Sequence, residues 1–401
     1  MPLCRNKEEA LAFLEKIGQE HLLSDWQGWP EFLRCRFLQQ ISKIPQDFYR
    51  QQLQELQEPA GGLADLVSPE LVPQTDEGRV LAESLLDQGK VGVLILAGGQ
   101  GTRLGFPGPK GCFPLPSLKH TLFEILLEKC RHTSQKAGEP LPVAIMTSPL
   151  NHKQTRQYLE KHHFFGLDEN QLDVFVQSMR PFLDEKRNWF LESPGRLAEG
   201  PCGNGEAIAA GQKVWEKWQQ RNVQFVQIIP VDNLLAEPFD PDLIGTQARQ
   251  NTELAVLSTG KKYEGENVGV LGQREGKLYV HEYTKDPLPN LSLAFLGIFS
   301  CSLSFLLKHP AAKLPWHTAK KKEKKLIKKG FGWQQQEVKA WKFEKFLFDL
   351  FPYASNFCVI QKPRGTCFAP IKTLEGEYGI EQAEKAFFQK ELYHPVDRKN
   401  F

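Results

Sequence analysis

The chain has 401 residues, 41% of them hydrophobic and 24% charged, an ordinary globular composition with more length than one small core uses. Fifty lysines and arginines against 48 aspartates and glutamates leave a formal net charge of +2, so no global electrostatic drive toward nucleic acid or a membrane surface is expected. Eight cysteines, none in a Cys-x-x-Cys spacing, argue against a zinc ribbon or a redox motif and fit reduced, buried thiols. The N-terminus carries no apolar signal core, and no apolar run reaches membrane-spanning length. A cytoplasmic protein is the expectation.

Residues 6–58 read as two or three amphipathic helices. Leu11, Phe13, Leu14 and Ile17 recur at helical spacing, and so do Leu33, Phe37, Leu38 and Ile41. Breaks fall at Ser24-Asp25 and Pro45-Gln46-Asp47, and irregular connections at 59–62 and 69–73. A helix over 78–88 leads into an apolar run from Val91 to Leu96, the pattern of a strand covered on both faces. Helices and strands then alternate: helix 120–136, strand 142–147, helix 151–161, strand 173–177, helix 206–218, strand 223–230, helix 241–250, strand 253–258. Such alternation implies an α/β domain with a mostly parallel sheet. Residues 268–300 read as β-rich, with a hairpin turn at Gly276-Lys277. The lysine-dense run 320–329 reads as a solvated loop or helix face, since no stacking aromatics are interleaved within it. A helix from Phe343 to Phe351, a strand from Phe357 to Gln361 and a last helix over 379–392 complete the chain. Three consecutive domains are expected: a helical lobe over 1–75, a nucleotide-binding α/β domain over 76–335, and a C-terminal segment over 336–401.

The stretch after the first strand carries the chemistry. Gly98, Gly99, Gly101 and Gly105 let a ligand approach the backbone amides, and the cations Arg103 and Lys110 follow. This is a place for a polyphosphate. It is not a Walker A loop, because Lys110 is followed by Gly111 and Cys112, and it is not a dinucleotide fingerprint, because Leu104 stands where the third glycine belongs. Other strand ends carry further polar groups. Gln177 offers an amide donor and acceptor. Pro201-Cys-Gly203-Asn-Gly205 precedes a helix. Asp232 ends the apolar run Phe225–Val231, a position suited to holding a hard cation against phosphates. His152, His281 and His317 have no metal-ligand spacing and read as structural or surface residues.

The string Leu-Ala-Gly-Gly-Gln-Gly-Thr-Arg-Leu-Gly, with Pro109-Lys110-Gly111 behind it, resembles the signature of sugar-1-phosphate uridylyltransferases. It is most similar to the UDP-N-acetylhexosamine pyrophosphorylase branch of the UDP-sugar pyrophosphorylases. The resemblance extends from Gln19-Glu-His-Leu-Leu23 to about residue 395 and includes Gln177, Gly203-Asn204, Val231-Asp232-Asn233, Val268-Gly269-Val270, Glu282 and Phe368-Ala-Pro-Ile-Lys372. It implies a nucleotidyltransferase-type, Rossmann-like mixed sheet flanked by helices, with an N-terminal helical lobe and a short C-terminal extension. The implied reaction joins UTP and a sugar 1-phosphate into a UDP-sugar and pyrophosphate, with Mg²⁺ as cofactor and neither nucleic acid nor membrane as partner.

The same resemblance implies roles for individual residues. Ala97, Gly98, Gly99, Gln177 and Gly203 would select uridine. Arg103, Lys110 and Lys372 would serve the phosphates, and Asp232 would hold Mg²⁺. Asn204, Gly269 and Glu282 would contact the sugar. The pattern departs from the family at Cys202, where the family has aspartate, and at Glu206. It departs again over 293–298, where Leu-Ala-Phe-Leu-Gly-Ile lacks the expected asparagines and puts Phe295 and Gly297 near their place. Glucose 1-phosphate and N-acetylglucosamine 1-phosphate both stay open as substrates, as does a non-catalytic uridine-nucleotide-binding protein of the same fold.

Overall fold

The computed structural model describes residues 7–57, 65–282, 290–309, 314–329 and 332–393. The connection expected at 59–62 lies outside them. Packing groups the chain into two units that cut across the three consecutive domains read from the sequence. One takes residues 1–61, 178–203 and 315–346; the other takes 62–177, 204–314 and 347–401.

The larger unit is built on a nine-stranded mixed sheet. Four strands run parallel, Leu172–Val176, Val143–Thr147, Val91–Leu96 and Phe225–Pro230 in spatial order. Antiparallel to the last lies Leu293–Ser302. This long strand also pairs with Leu254–Gly260, which itself pairs in parallel with Phe357–Gln361. At the near end of the long strand, Val270–Arg274 pairs through Val270 and carries the hairpin partner Lys277–His281. Val93, Ile95, Val143, Ile145, Val226 and Ile229 are all fully buried, as the continuous apolar runs required. Helices cover both faces: Leu94, Val226 and Ile228 pack with Trp215 and Trp218 on one side, while Val93, Ile95 and Ile229 pack with Phe123, Leu127 and Leu243 on the other.

Local signals set the boundaries. Thr121 and Glu124 form a reciprocal capping box at the start of Leu122–Ala137, and Gly138 ends that helix in the left-handed region. Asp240 caps Pro241–Gln250, whose first residue is proline. The helix expected over 206–218 is two, Ala207–Ala210 and Gln212–Gln220, with Gly211 between them. The hairpin turn is Glu275-Gly276 rather than Gly276-Lys277. Both residues have positive φ, the type I′ geometry that matches strand twist. No described helix is long and apolar enough to cross a membrane.

The smaller unit contains the helices Lys7–Lys16, Glu31–Ile41 and Phe48–Glu55. Leu14, Phe37, Ile41, Phe48 and Trp189 form its core. Trp189 is satisfied there: its indole donates to Gln52 Oε1 at 2.7 Å, and its backbone N–H donates to Gln19 Oε1 at 2.8 Å. The lysine-dense run is neither loop nor helix. It lies in the strand His317–Lys329, which pairs residue for residue with Gly332–Glu344. The latter strand also replaces the start of the helix expected from Phe343; beyond it a 3₁₀ segment, Leu347–Tyr353, belongs to the larger unit. Val338 and Ala340 pack with Phe182, Phe190 and Ala198, whereas Trp341 and Phe343 join the helical core. The base of the ribbon is therefore anchored through both faces. Lysine stems make the rest compatible with a strand: Lys320 lies over the Trp341 ring at 4.5 Å and Lys328 over Trp333 at 5.9 Å.

Candidate active site

The carboxyl ends of the four parallel strands converge on one edge of the larger unit. From them issue the glycine loop at Ala97, the Ser148–Asn151 turn, Gln177, and Val231-Asp232. Ligands of open α/β sheets bind at this edge.

Asn151 holds the glycine loop. Its side chain is 1% exposed. Its amide donates to the carbonyls of Ala97 and Gly99 at 2.9 and 3.0 Å, and its Oδ1 accepts from the Ser148 backbone at 2.9 Å. The Gly99 carbonyl also accepts the Lys110 backbone N–H, and the Gly101 carbonyl accepts those of Phe106 and Leu104. The loop is thus a closed, internally bonded turn. The Gln177 amide lies directly on it: a Cβ added to Gly98 would fall 2.1 Å from Gln177 Nε2, so any larger residue there would displace the Gln177 amide. Gln177 is 5% exposed, and its Oε1 is buried without a hydrogen-bond partner. An orphaned buried acceptor is costly, and rotation of the amide toward the strand-end edge would offer it to an N–H donor such as that of a nucleobase.

Lys110 and Asp232 form an ion pair, Nζ to Oδ2 at 2.6 Å, with side chains 15% and 24% exposed. The segment after Asp232 is zipped to the C-terminal stretch carrying Lys372. Asn233, fully buried, donates to the Cys367 carbonyl and accepts from the Ala369 backbone, both at 2.8 Å. The Ile371 N–H donates to the Asp232 carbonyl at 2.9 Å. This brings Lys372 into the electrostatic field of Asp232, Lys110, Arg103 and Glu266. Burial holds the Lys372 ammonium below the usual lysine range. Lys110 and Arg103 add to that shift, and Asp232 and Glu266 oppose it. Arg103, Lys110 and Lys372 against Asp232 make a locally cationic site. Among the described residues no three His, Cys, Asp or Glu side chains group as metal ligands. A cation here would rest on the single carboxylate of Asp232, with the remaining positions filled by phosphate and water. That donor set suits Mg²⁺.

The residues expected to contact the sugar fall elsewhere on the same unit. Asn204 Oδ1 accepts the Leu347 backbone N–H at 2.9 Å, capping the 347–353 segment and leaving its NH₂ group for other partners. The Gly269 carbonyl accepts the Phe295 N–H at 2.8 Å. Glu282 is half-buried at the end of Lys277–His281. The Phe295 ring packs against Phe299, Phe348 and Phe351, with centroid separations of 6.4, 6.1 and 5.5 Å; it belongs to the core under the sheet. Gly203 lies in the smaller unit. Its φ is +88°, and a Cβ placed on it would fall 2.4 Å from the Lys345 carbonyl oxygen, so the position requires glycine. Cys202 beside it is fully buried in the helical core. Asn151 and Asn233 are site residues that the sequence alone does not single out. The signal for Asn151 is its place after a strand and before a helix; Asn233 stands inside the Val-Asp-Asn motif next to Asp232.

Comparison with known proteins adds a family. The model for UTP--glucose-1-phosphate uridylyltransferase matches residues 50–293, more than half of the chain. The UDP-N-acetylhexosamine pyrophosphorylase-like protein 1 of Homo sapiens is 30% identical over 412 residues, covering 92% of this chain and 81% of the relative. The protein of the same name from Xenopus tropicalis is 33% identical over 312 residues, and there the match spans 72% of this chain and 61% of the relative. Among solved structures, the uridine diphosphate N-acetylglucosamine pyrophosphorylase from Trypanosoma brucei in complex with inhibitor superimposes with a TM-score of 0.78 at 26% identity, over 97% of this chain and 86% of that one. By sequence, by sheet topology and by the residues gathered at the strand ends, the chain belongs to the UDP-sugar pyrophosphorylase family.

Proposed function

We propose that this chain transfers a uridylyl group from UTP to a sugar 1-phosphate, yielding a UDP-sugar and pyrophosphate. The observation that carries this reading is the convergence of Arg103, Lys110, Asp232 and Lys372 beside a glycine loop overlain by Gln177, whose Oε1 lacks a partner. Membership of the family supports the same reaction.

The chemistry asks little of a base. A sugar 1-phosphate oxygen is already anionic at neutral pH. It attacks the α-phosphorus in line, the bond from that phosphorus to the bridging oxygen breaks, and pyrophosphate carries the electron pair away. Alignment and charge neutralisation do the rest. Gln177 Oε1 accepts from the uracil N–H, and the Ala97–Gly99 backbone forms a slot too narrow for a purine. Lys110 exchanges its partner Asp232 for a phosphate oxygen, which frees the carboxylate. Asp232 would then be the residue to hold Mg²⁺, whose chemistry there would be to neutralise phosphate charge. Arg103 grips the triphosphate from the loop, and Lys372 approaches from the C-terminal stretch. The Asn204 NH₂ group, Gly269 and Glu282 orient the sugar. A cytoplasmic setting suits the free thiols of the described cysteines.

For the sugar, we infer activity on both glucose 1-phosphate and N-acetylglucosamine 1-phosphate. Phe295 is half-buried, with its ring packed against the aromatic core, which weakens the steric ground for excluding the larger sugar, while the missing asparagines leave few polar groups to demand it. A pyrophosphate-release assay with UTP and a panel of sugar 1-phosphates tests the reading. No release with any of them would overturn the reaction, and equal rates with ATP would overturn the uridylyl assignment. Asp232→Asn is expected to raise the Mg²⁺ requirement sharply, and full activity of the native enzyme in excess chelator would remove the metal.

A further inference from the structure

Glu266 stands outside the ligand-contacting residues named above, yet it is the most firmly held carboxylate near them. Its side chain is 0% exposed, and a carboxylate that deep in protein persists only when paired and hydrogen-bonded. Its partners are the Arg364 guanidinium, the Tyr378 hydroxyl at 2.7 Å and the Lys262 backbone N–H at 2.8 Å. Tyr378 faces the other way as well. Its ring carries Lys372 Nζ at 4.9 Å from the centroid, and its carbonyl accepts the Lys372 N–H at 2.8 Å. The turn between these two residues is fixed by Glu377, which accepts from Tyr263 at 2.6 Å and pairs with Lys262 at 3.2 Å. On the opposite side, the Glu266 carbonyl accepts the Val268 N–H at 2.8 Å, one residue before Gly269.

We propose that Glu266 is a positioning residue. Through Tyr378 it holds the Lys372 ammonium on the phosphate site, and through its own backbone it ties that cation to the segment leading into Gly269. The proposal rests on the uridylyl-transfer reading. Lys372 is long and flexible, and left alone it would sample many rotamers. The Tyr378 face restricts it, and the Tyr378 ring is in turn locked by a buried charge-assisted hydrogen bond. The carboxylate has a second effect. The charged groups around Lys372 are Asp232 and Glu266, which favour its protonated form, and Lys110 and Arg103, which disfavour it; Tyr378 is the aromatic face beneath. Burial already pulls Lys372 down. Removing the Glu266 charge lowers it further, so the protonated fraction is lost at a lower pH.

The test compares Glu266→Gln, Tyr378→Phe and Tyr378→Leu with the native enzyme. Glu266→Gln is expected to lower kcat about tenfold or more, to leave the Kd for UTP within about twofold by calorimetry, and to move the alkaline limb of the kcat profile to lower pH. Tyr378→Phe keeps the ring and gives a smaller loss, whereas Tyr378→Leu removes the face and matches Glu266→Gln in kcat. A titration independent of turnover uses reductively ¹³C-methylated protein, with the Lys372 resonance identified by its absence in Lys372→Arg. An unchanged Lys372 titration in Glu266→Gln would overturn the proposal, as would a kcat loss that tracks loss of UTP binding and thermal unfolding. If the native enzyme released no pyrophosphate, the reaction would fall, while the Lys372 resonance would still decide the network.

Discussion

The proposed phosphate end of the site and its proposed sugar end are held by different means. At the phosphate end several polar side chains have fixed partners. Asn151 bridges two loop carbonyls, Asn233 staples the Asp232 segment to the C-terminal stretch, and Lys110 and Asp232 neutralise each other. At the sugar end the long strand presents Ala294, Phe295 and Gly297, and the Phe295 ring joins an aromatic core. Phosphate recognition needs charge placed to fractions of an ångström, which a flexible loop cannot supply, so a buried scaffold of amides surrounds it. A neutral sugar can be held by shape and by a few amides. The first end is therefore expected to tolerate substitution poorly, and the second to be permissive.

The contrast between the two ends is tested most severely at Lys110. Lys110→Ala is expected to lower kcat/KM by about two orders of magnitude or more, since it removes a charge contact strengthened in the transition state; near-normal turnover in a folded variant would contradict it. Asn151→Ala comes next. It strands the Ala97 carbonyl and leaves that of Gly99 with the Lys110 N–H alone, a cost of about 1–3 kcal/mol, and is expected to lower kcat/KM by roughly 10- to 100-fold. A UTP titration that matches the native enzyme would show the loop to be held by other means. Gln177→Ala is expected to relax the preference for UTP over ATP by about tenfold, read from the ratio of the two kcat/KM values. The smallest effect is at the sugar end, where kcat/KM for glucose 1-phosphate and N-acetylglucosamine 1-phosphate is expected to agree within about tenfold. A preference above about a hundredfold would mean that polar groups beyond the long strand seat the sugar.

The parts legible in the sequence are those whose chemistry is local. The strand Val91–Leu96 and its glycine loop announce themselves by a change of composition within a few residues, and Asp232 does so by ending an apolar run. Helix Pro241–Gln250 is legible from its capping aspartate and first-turn proline. The features that escape depend on distant partners. Asn151 matters because the Ala97 and Gly99 carbonyls, more than fifty positions away, need donors. Glu266 matters because of Arg364 and Tyr378, about a hundred positions away. The lysine run has no apolar period of its own; its strand conformation is dictated by the ladder to Gly332–Glu344, whose alternating anchors Val338, Ala340, Trp341 and Phe343 are the readable half.

That ladder ends in an open edge. In the three-stranded arrangement to which it belongs, His317–Lys329 is the outermost strand, and thirteen residues of edge backbone would ordinarily invite another chain to add a strand. Seven of those thirteen residues are lysines. A second copy docking antiparallel along this edge would bring two lysine-rich strands together, a repulsion that salt screens as the Debye length shortens to about 3 Å near 1 M. Charged edge residues of this kind disfavour self-templated fibre growth. Replacement of the lysines by neutral β-formers would be felt first in the lag time of aggregation and only afterwards, if at all, in turnover.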